Sequence, residues 1–158
     1  MSLPEGFSLR QASTADLDTL VSHRRAMFHD MGYADAAALD SMSAKFRRWL
    51  LERMDSGDYL AWLVTAPDST VAAGAGLWLM DWPPHMIGTG TRRGNVVNVY
   101  TAELYRRLGL ARELMIVVLA WCRDNHIDTV ILHASPSGRH LYESLGFQAT
   151  NEMRLIGA

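Results

Sequence analysis

Apolar residues recur at two different spacings along this chain, and the switches between them mark out its elements. Phe7 to Gln11 has the character of a short first strand. Ser13-Thr14-Ala15-Asp16 then reads as a capping box, and Leu17, Leu20, Val21, Arg24, Met27 and Met31 follow at helical spacing until Gly32. A second helix is predicted over about Asp35 to Met54, with Leu39, Met42, Phe46, Trp49 and Leu50 along one face and a stop at Asp55-Ser56-Gly57-Asp58. Tyr59 to Thr65 is apolar on both faces, as a central strand is. Pro67-Asp68-Ser69-Thr70 is a turn by composition, and Val71 to Trp82 returns antiparallel. Gly74 and Gly76 inside that strand predict a bulge or a close approach of other groups.

From Pro83 to Gly94 periodicity disappears, and a loop of that length in a small domain tends to be functional or mobile. A β-branched and aromatic run from Val96 to Tyr100 predicts a buried strand. Leu110 to Asn125 is helical, and Leu114, Ile116, Val117, Val118, Leu119 and Trp121 predict burial nearly all round it. Asp128 to Ala134 reads as a buried parallel neighbour of the Val96 strand, joined to it by a right-handed crossover. Ser135 and Pro136 are expected at the N-cap and first position of a last helix, which Gly146 ends. Phe147 to Leu155 is expected to close the fold as one or two strands. The order β-α-α-β-β-β-α-β-α-β predicts an α/β fold, a mixed central sheet flanked by helices on both faces, in one domain over residues 1–158.

Composition narrows the function classes. Hydrophobic residues make up 49% and charged residues 20%, which excludes general disorder, and the net charge of −2 gives no field to recruit nucleic acid or an anionic membrane. One cysteine, Cys122, cannot form an internal disulfide, and the six histidines show no metal-ligand spacing. No segment resembles a signal peptide or a membrane span, so a soluble cytoplasmic protein is expected. The sequence leaves oligomeric state open, a homodimer included.

Chemistry concentrates between Gly94 and Arg112. A strand that feeds a glycine turn at a helix start is built to hold an anion. The first helical N–H groups lack intrahelical partners, and the helix dipole adds positive potential. Gly109 has no Cβ to keep an oxygen away from the backbone, and Arg106, Arg107 and Arg112 bring positive charge. These residues predict a pyrophosphate site.

Arg106-x-x-Gly109-x-Ala111 resembles the Arg/Gln-x-x-Gly-x-Gly/Ala signature of the GNAT acetyltransferase superfamily, with a strand before it and a helix after it. About thirty residues on, Leu141-Tyr142-Glu143-x-Leu145-Gly146-Phe147 is similar to a second segment of that family. The resemblance covers essentially the whole chain. It implies acetyl-coenzyme A as co-substrate and direct transfer of the acetyl group to an amine of a small molecule or peptide. It assigns the pyrophosphate to Arg106, Arg107, Leu108, Gly109, Leu110, Ala111 and Arg112, and the pantetheine arm to backbone at Val99, Tyr100 and Thr101. Tyr142 takes the position of the general acid that protonates the departing thiolate. Ser135 stands where the family commonly has an asparagine toward the pantetheine, and Gly138 where it has an alanine. Acetyl transfer also needs an oxyanion donor, which a backbone N–H near Val99 or Tyr100 would provide.

No base for the amine is evident. Glu103 falls where family members often have proline, Leu104 where they have glutamate, and Glu103 reads as a solvated loop carboxylate. His133, Asp81 and His85 are weaker candidates for base or substrate contact. Arg24 and Arg25 interrupt the first helix's apolar stripe toward an acceptor cleft, although surface arginine is the ordinary reading. Trp78, Met80, Trp82 and Met86 are candidates to line an apolar acceptor pocket, and Cys122 reads as core. A non-catalytic acyl-coenzyme A binding or regulatory domain on the same fold is the alternative, since fold does not dictate function.

Overall fold

The computed structural model describes residues 2–157. Strand β1 (Ser8–Gln11) leads through the 3₁₀ turn Thr14–Asp16 into helix α1 (Leu17–Asp30). The capping box forms as its sequence requires: the Ala15 N–H donates to Ser13 Oγ at 3.3 Å, and the Ser13 N–H donates to Asp16 Oδ2 at 2.9 Å. Arg10 grips the same carboxylate at 2.7 and 2.8 Å and, with the Ser13 N–H, holds its pKa down to about 2. Helix α2 (Ala36–Ser56) starts on the Asp35 carboxylate and ends at Gly57, whose φ of +81° is the left-handed stop that glycine favours.

Strands β2 (Tyr59–Thr65), β3 (Val71–Asp81) and β4 (Arg92–Thr101) form an antiparallel meander with β1. Helix α3 (Leu110–Asp124) carries the chain over to β5 (Val130–Leu132), which pairs parallel with β4, giving a five-stranded mixed sheet in the order β1-β2-β3-β4-β5. Helix α4 (Arg139–Ser144) follows. One core lies under α1 and α2, built from Leu17, Leu20, Phe46, Leu50 and Leu63. The other joins α3 to the opposite face through Leu77, Val96, Leu110, Leu114, Met115 and Val118, with Tyr142 and Leu145 of α4 against it. The α/β sandwich expected from the element order is present.

Four local expectations are corrected. Helix α3 is amphipathic rather than buried all round: Leu110, Leu114, Met115, Val118 and Cys122 face the sheet, while Ile116 is 40% exposed. Strand β4 begins at Arg92, so the irregular loop is shorter, and Asp128 pins it by accepting from the N–H groups of Thr89 (2.6 Å) and Gly90 (3.3 Å). Helix α4 begins three residues later than expected, because Ser135-Pro136-Ser137 forms a turn: the N–H groups of Gly138 and Arg139 both donate to the Ser135 carbonyl. No strand follows α4 among the described residues; Phe147 packs on the core, but the polar run Gln148 to Glu152 breaks the alternation a strand needs, and Met153, Leu155 and Ile156 remain exposed.

The glycines of β3 have a steric cause. The Tyr59 hydroxyl lies over Gly76, and a methyl group there would overlap it; at Gly74 the same methyl would meet Leu63 at 2.9 Å and His23 Nδ1 at 3.0 Å. Gly76→Ala is therefore expected to cost about 2–4 kcal/mol, combining overpacking with the break of a buried hydrogen bond. Urea unfolding measures it directly. An unchanged midpoint would mean that Tyr59 does not occupy that space.

Candidate active site

Two interruptions of the sheet make the site. Strand β5 pairs with β4 only as far as Val96 opposite Leu132, so from Val97 to Thr101 the outer edge of β4 has no strand neighbour among the described residues. On the other edge Gly74 pairs with Tyr100 and Gly76 with Val97, which leaves Asn98 and Val99 opposite Ala75 alone. That is a β-bulge, and Asn98 takes it up with a left-handed φ of +57°. The open edge therefore begins at a bend in the strand, with Val99, Tyr100 and Thr101 along it.

Past Thr101 the chain makes the 3₁₀ turn Glu103–Tyr105 and reaches the arginine-rich loop. Arg107 (φ +64°) and Gly109 (φ +78°) are both left-handed and curl it. Gly109 is the N-cap of α3 and has no side chain, so no side chain caps the first-turn N–H groups. A cavity of about 230 Å³ lies against this turn, lined by Thr101, Arg107, Gly109, Ala111, Arg112 and Leu141 among others. A Cβ built on Gly109 would meet nothing within 4 Å, so the space in front of it is open. Uncapped donors, a helix dipole and an open concavity fit a diphosphate.

The arginines divide their work. The Arg106 guanidinium is already engaged, donating to Asp30 Oδ2 at 2.5 Å and to the Thr101 carbonyl at 3.0 Å, so it ties the end of α1 to the end of β4. Arg112 donates to Ser144 Oγ at 2.9 Å and joins the head of α3 to α4. Arg107 and Leu108 are exposed at the rim, Leu108 to 44%. Leu110 is buried and anchors the loop from beneath.

That Arg112 bond brings Tyr142 toward the same end of the molecule. Its ring meets Phe147 edge-on at 6.0 Å, and burial raises the pKa of its hydroxyl, which keeps its proton at neutral pH. A Cβ on Gly138 would lie 3.0 Å from the Tyr142 ring and 3.2 Å from Ser135 Oγ, so glycine there lets Tyr142 and Ser135 approach each other. The Ser135 hydroxyl also accepts from the Gly138 N–H at 3.2 Å.

The remaining candidates are dispersed. Glu103, Asp81 and His85 are exposed, His133 Nε2 bonds Glu152 Oε1 at 3.0 Å, and Met86 is 98% exposed. Burial pushes the Cys122 thiol up to about 11, which leaves it inert. The described residues hold no group of three potential metal ligands, and no described helix is long and apolar enough to cross a membrane.

Arg24, a candidate toward an acceptor cleft whose ordinary reading is surface arginine, turns inward and joins a polar cluster on the α1 face of β4. The other members, Asn98, Tyr59 and His23, carry no functional reading in the sequence. The Arg24 guanidinium donates to Asn98 Oδ1 at 2.7 Å, and Asn98 Nδ2 donates to the Tyr59 hydroxyl at 2.9 Å. Burial drives the Tyr59 pKa up to about 12. His23 lies against the Tyr100 ring at 5.0 Å, and burial lowers its pKa to about 4, so it is neutral at physiological pH. The available signal was an asparagine inside an otherwise apolar strand, Val96-Val97-Asn98-Val99.

The model of the acetyltransferase (GNAT) family matches residues 20–147. A solved structure of a GCN5-related N-acetyltransferase from Ralstonia eutropha is 34% identical, with a TM-score of 0.88 over 95% of this chain and 97% of that one. A predicted acetyltransferase with acetyl-CoA from Clostridium acetobutylicum is 24% identical, with a TM-score of 0.87 over 96% of each chain. Glucosamine-6-phosphate N-acetyltransferase from Arabidopsis thaliana shares the fold at 16% identity, with a TM-score of 0.70 over 98% of this chain and 100% of that one. Comparison with curated protein sequences returns no match.

Proposed function

The chain belongs to the GNAT acetyltransferase family, and we propose that it moves the acetyl group of acetyl-coenzyme A directly onto an amine of a small molecule or peptide. Acetyl-coenzyme A, the co-substrate of this family, supplies the thioester whose acyl group is transferred. The observation that carries the proposal is the continuity of two open features: the free edge of β4 beyond its bulge runs directly into the uncapped head of α3.

Each residue then has a physical task. Backbone groups of Val99, Tyr100 and Thr101 would pair with the amides of the pantetheine arm as a further strand does. The N–H groups around Gly109, Leu110, Ala111 and Arg112 would take the diphosphate, with Arg107 and Arg112 adding charge. Arg106 positions this loop through Asp30 and Thr101. Ser135 would border the thiol end of the arm beside Tyr142. The Tyr142 hydroxyl, kept protonated by burial, would give its proton to the departing sulfur. A cytoplasmic setting suits the lone buried Cys122.

Acetyl-coenzyme A is expected to raise the melting temperature. At a hundredfold excess over its dissociation constant it stabilises the fold by about 2.7 kcal/mol, a rise of roughly 5–10 °C for a chain of this size. Added salt should shrink the shift, since the clamp is partly electrostatic. No shift and no heat of binding would remove the proposal. Binding without thiol release in the presence of amines would instead leave a non-catalytic acyl-coenzyme A binder.

A further inference from the structure

The face of the sheet under α1 and α2 holds buried polar atoms without partners among the described residues: His23 Nδ1, Arg24 Nε, Ser43 Oγ and Asn95 Oδ1. Ser43 lies on the sheet-facing stripe of α2, in step with the buried Leu39, Phe46 and Leu50. Asn95 shares its side of β4 with Val97, two residues on, which packs into the same core. Folded proteins satisfy nearly all such atoms, so four on one face ask for a ligand or ordered water.

Arg24 says which ligand. Its neighbours Arg25, Arg47 and Arg106 each hold a carboxylate, from Asp40, Asp18 and Asp30. Arg24 instead has the amide oxygen of Asn98 and two aromatic rings, Phe28 at 4.9 Å and Phe46 at 4.7 Å from its guanidinium carbon. It is a half-buried cation with no carboxylate at ion-pair distance among the described residues. Phe28 is also a wall of a cavity of about 500 Å³ between α1 and α2, together with Tyr33, Leu39 and Met42. Asn98, on the other side of the guanidinium, is the bulge residue of β4. Arg24 thus stands between an apolar cavity and the bend where the open edge begins.

We infer that the acceptor is an amine that also carries a carboxylate and an apolar body, an apolar amino acid in its simplest form, with Arg24 receiving the carboxylate. The inference rests on the acetyl-transfer function proposed above. An arginine fork matches a carboxylate in shape and charge, and its single positive charge suits a single negative one. The cavity wall takes the apolar body. The same cation disfavours polyamines and aminoglycosides by repelling their additional positive charges.

The test compares matched acceptors. Thiol release from acetyl-coenzyme A is followed with leucine, methionine and phenylalanine, with the carboxamide of each, and with spermidine and neomycin. The free acids should exceed their amides in kcat/KM by about 10-fold or more, since a site built around a charged group rejects the analogue lacking it. Arg24→Gln should abolish that preference by raising KM for the acids, while the dissociation constant of acetyl-coenzyme A stays as in the wild type; Arg24→Lys should restore part of it. Amides or polyamines that match the acids in the wild-type protein overturn the inference without any variant. So does a protein that binds acetyl-coenzyme A yet turns over none of the acids. Failure to bind acetyl-coenzyme A at all would instead remove the acetyl-transfer function itself.

Discussion

Tyr142→Phe is expected to lower the turnover number by about 10²–10⁴-fold while changing the affinity for acetyl-coenzyme A little. The substitution removes one oxygen and keeps a ring packed against Phe147 and the α3 core, so the fold should lose little. A hydroxyl that acts on the sulfur only as it departs contributes little to ground-state binding, and its loss falls on kcat. The raised pKa sharpens this. Because burial moves the hydroxyl's titration above its ordinary range, wild-type turnover should not fall through Tyr142 ionisation near neutral pH, and the Phe variant should show the same profile there at a lower level. Unchanged turnover with weaker binding would make Tyr142 a packing residue and leave the proton to water.

The backbone features of the candidate site were the more legible in the sequence. Gly109 and Ala111 announce a loop that must let an anion approach, and the strand before it and the apolar helix after it follow from simple periodicity. Even there, the side chains went elsewhere. Arg106 is the most recognisable residue of the loop, yet its guanidinium binds Asp30, far away in sequence at the end of α1. Nothing in local spacing records a pairing across that distance. The bulge was legible only as a possibility, because Gly74 and Gly76 say that something lies over β3 without saying that it is His23 and the Tyr59 hydroxyl.

The closing segment shows the opposite failure. A run that includes Phe147, Met153, Leu155 and Ile156 invites a strand, but strand formation needs a partner edge and a buried face. The edge on offer is β5, only three residues long and half-exposed throughout. The polar cluster beside α1 was hidden for a related reason. Arg24 and Arg25 are adjacent and identical in type, and only the packing of α1 on β4 turns one toward Asn98 and the other toward Asp40 on the surface.

Gly109→Val is expected to weaken acetyl-coenzyme A binding by about 100-fold or more while the protein remains folded. Two terms contribute. At a φ of +78° a β-branched residue is strained by about 1–3 kcal/mol, so the loop either holds its shape under strain or relaxes and disperses its N–H groups. The added Cβ also enters the open space before the α3 turn, where it touches no protein atom within 4 Å and so competes with the ligand rather than with the core. For that reason the melting temperature without ligand should fall only modestly. Gly109→Ala should show the same pattern at smaller size. The decisive comparison uses S-acetyl-pantetheine, which carries the thioester but no diphosphate. Its kcat/KM, low in the wild type, should be nearly unaffected by Gly109→Val, because it makes no contact with this loop. If both substrates lose activity equally, the diphosphate is bound somewhere other than the head of α3.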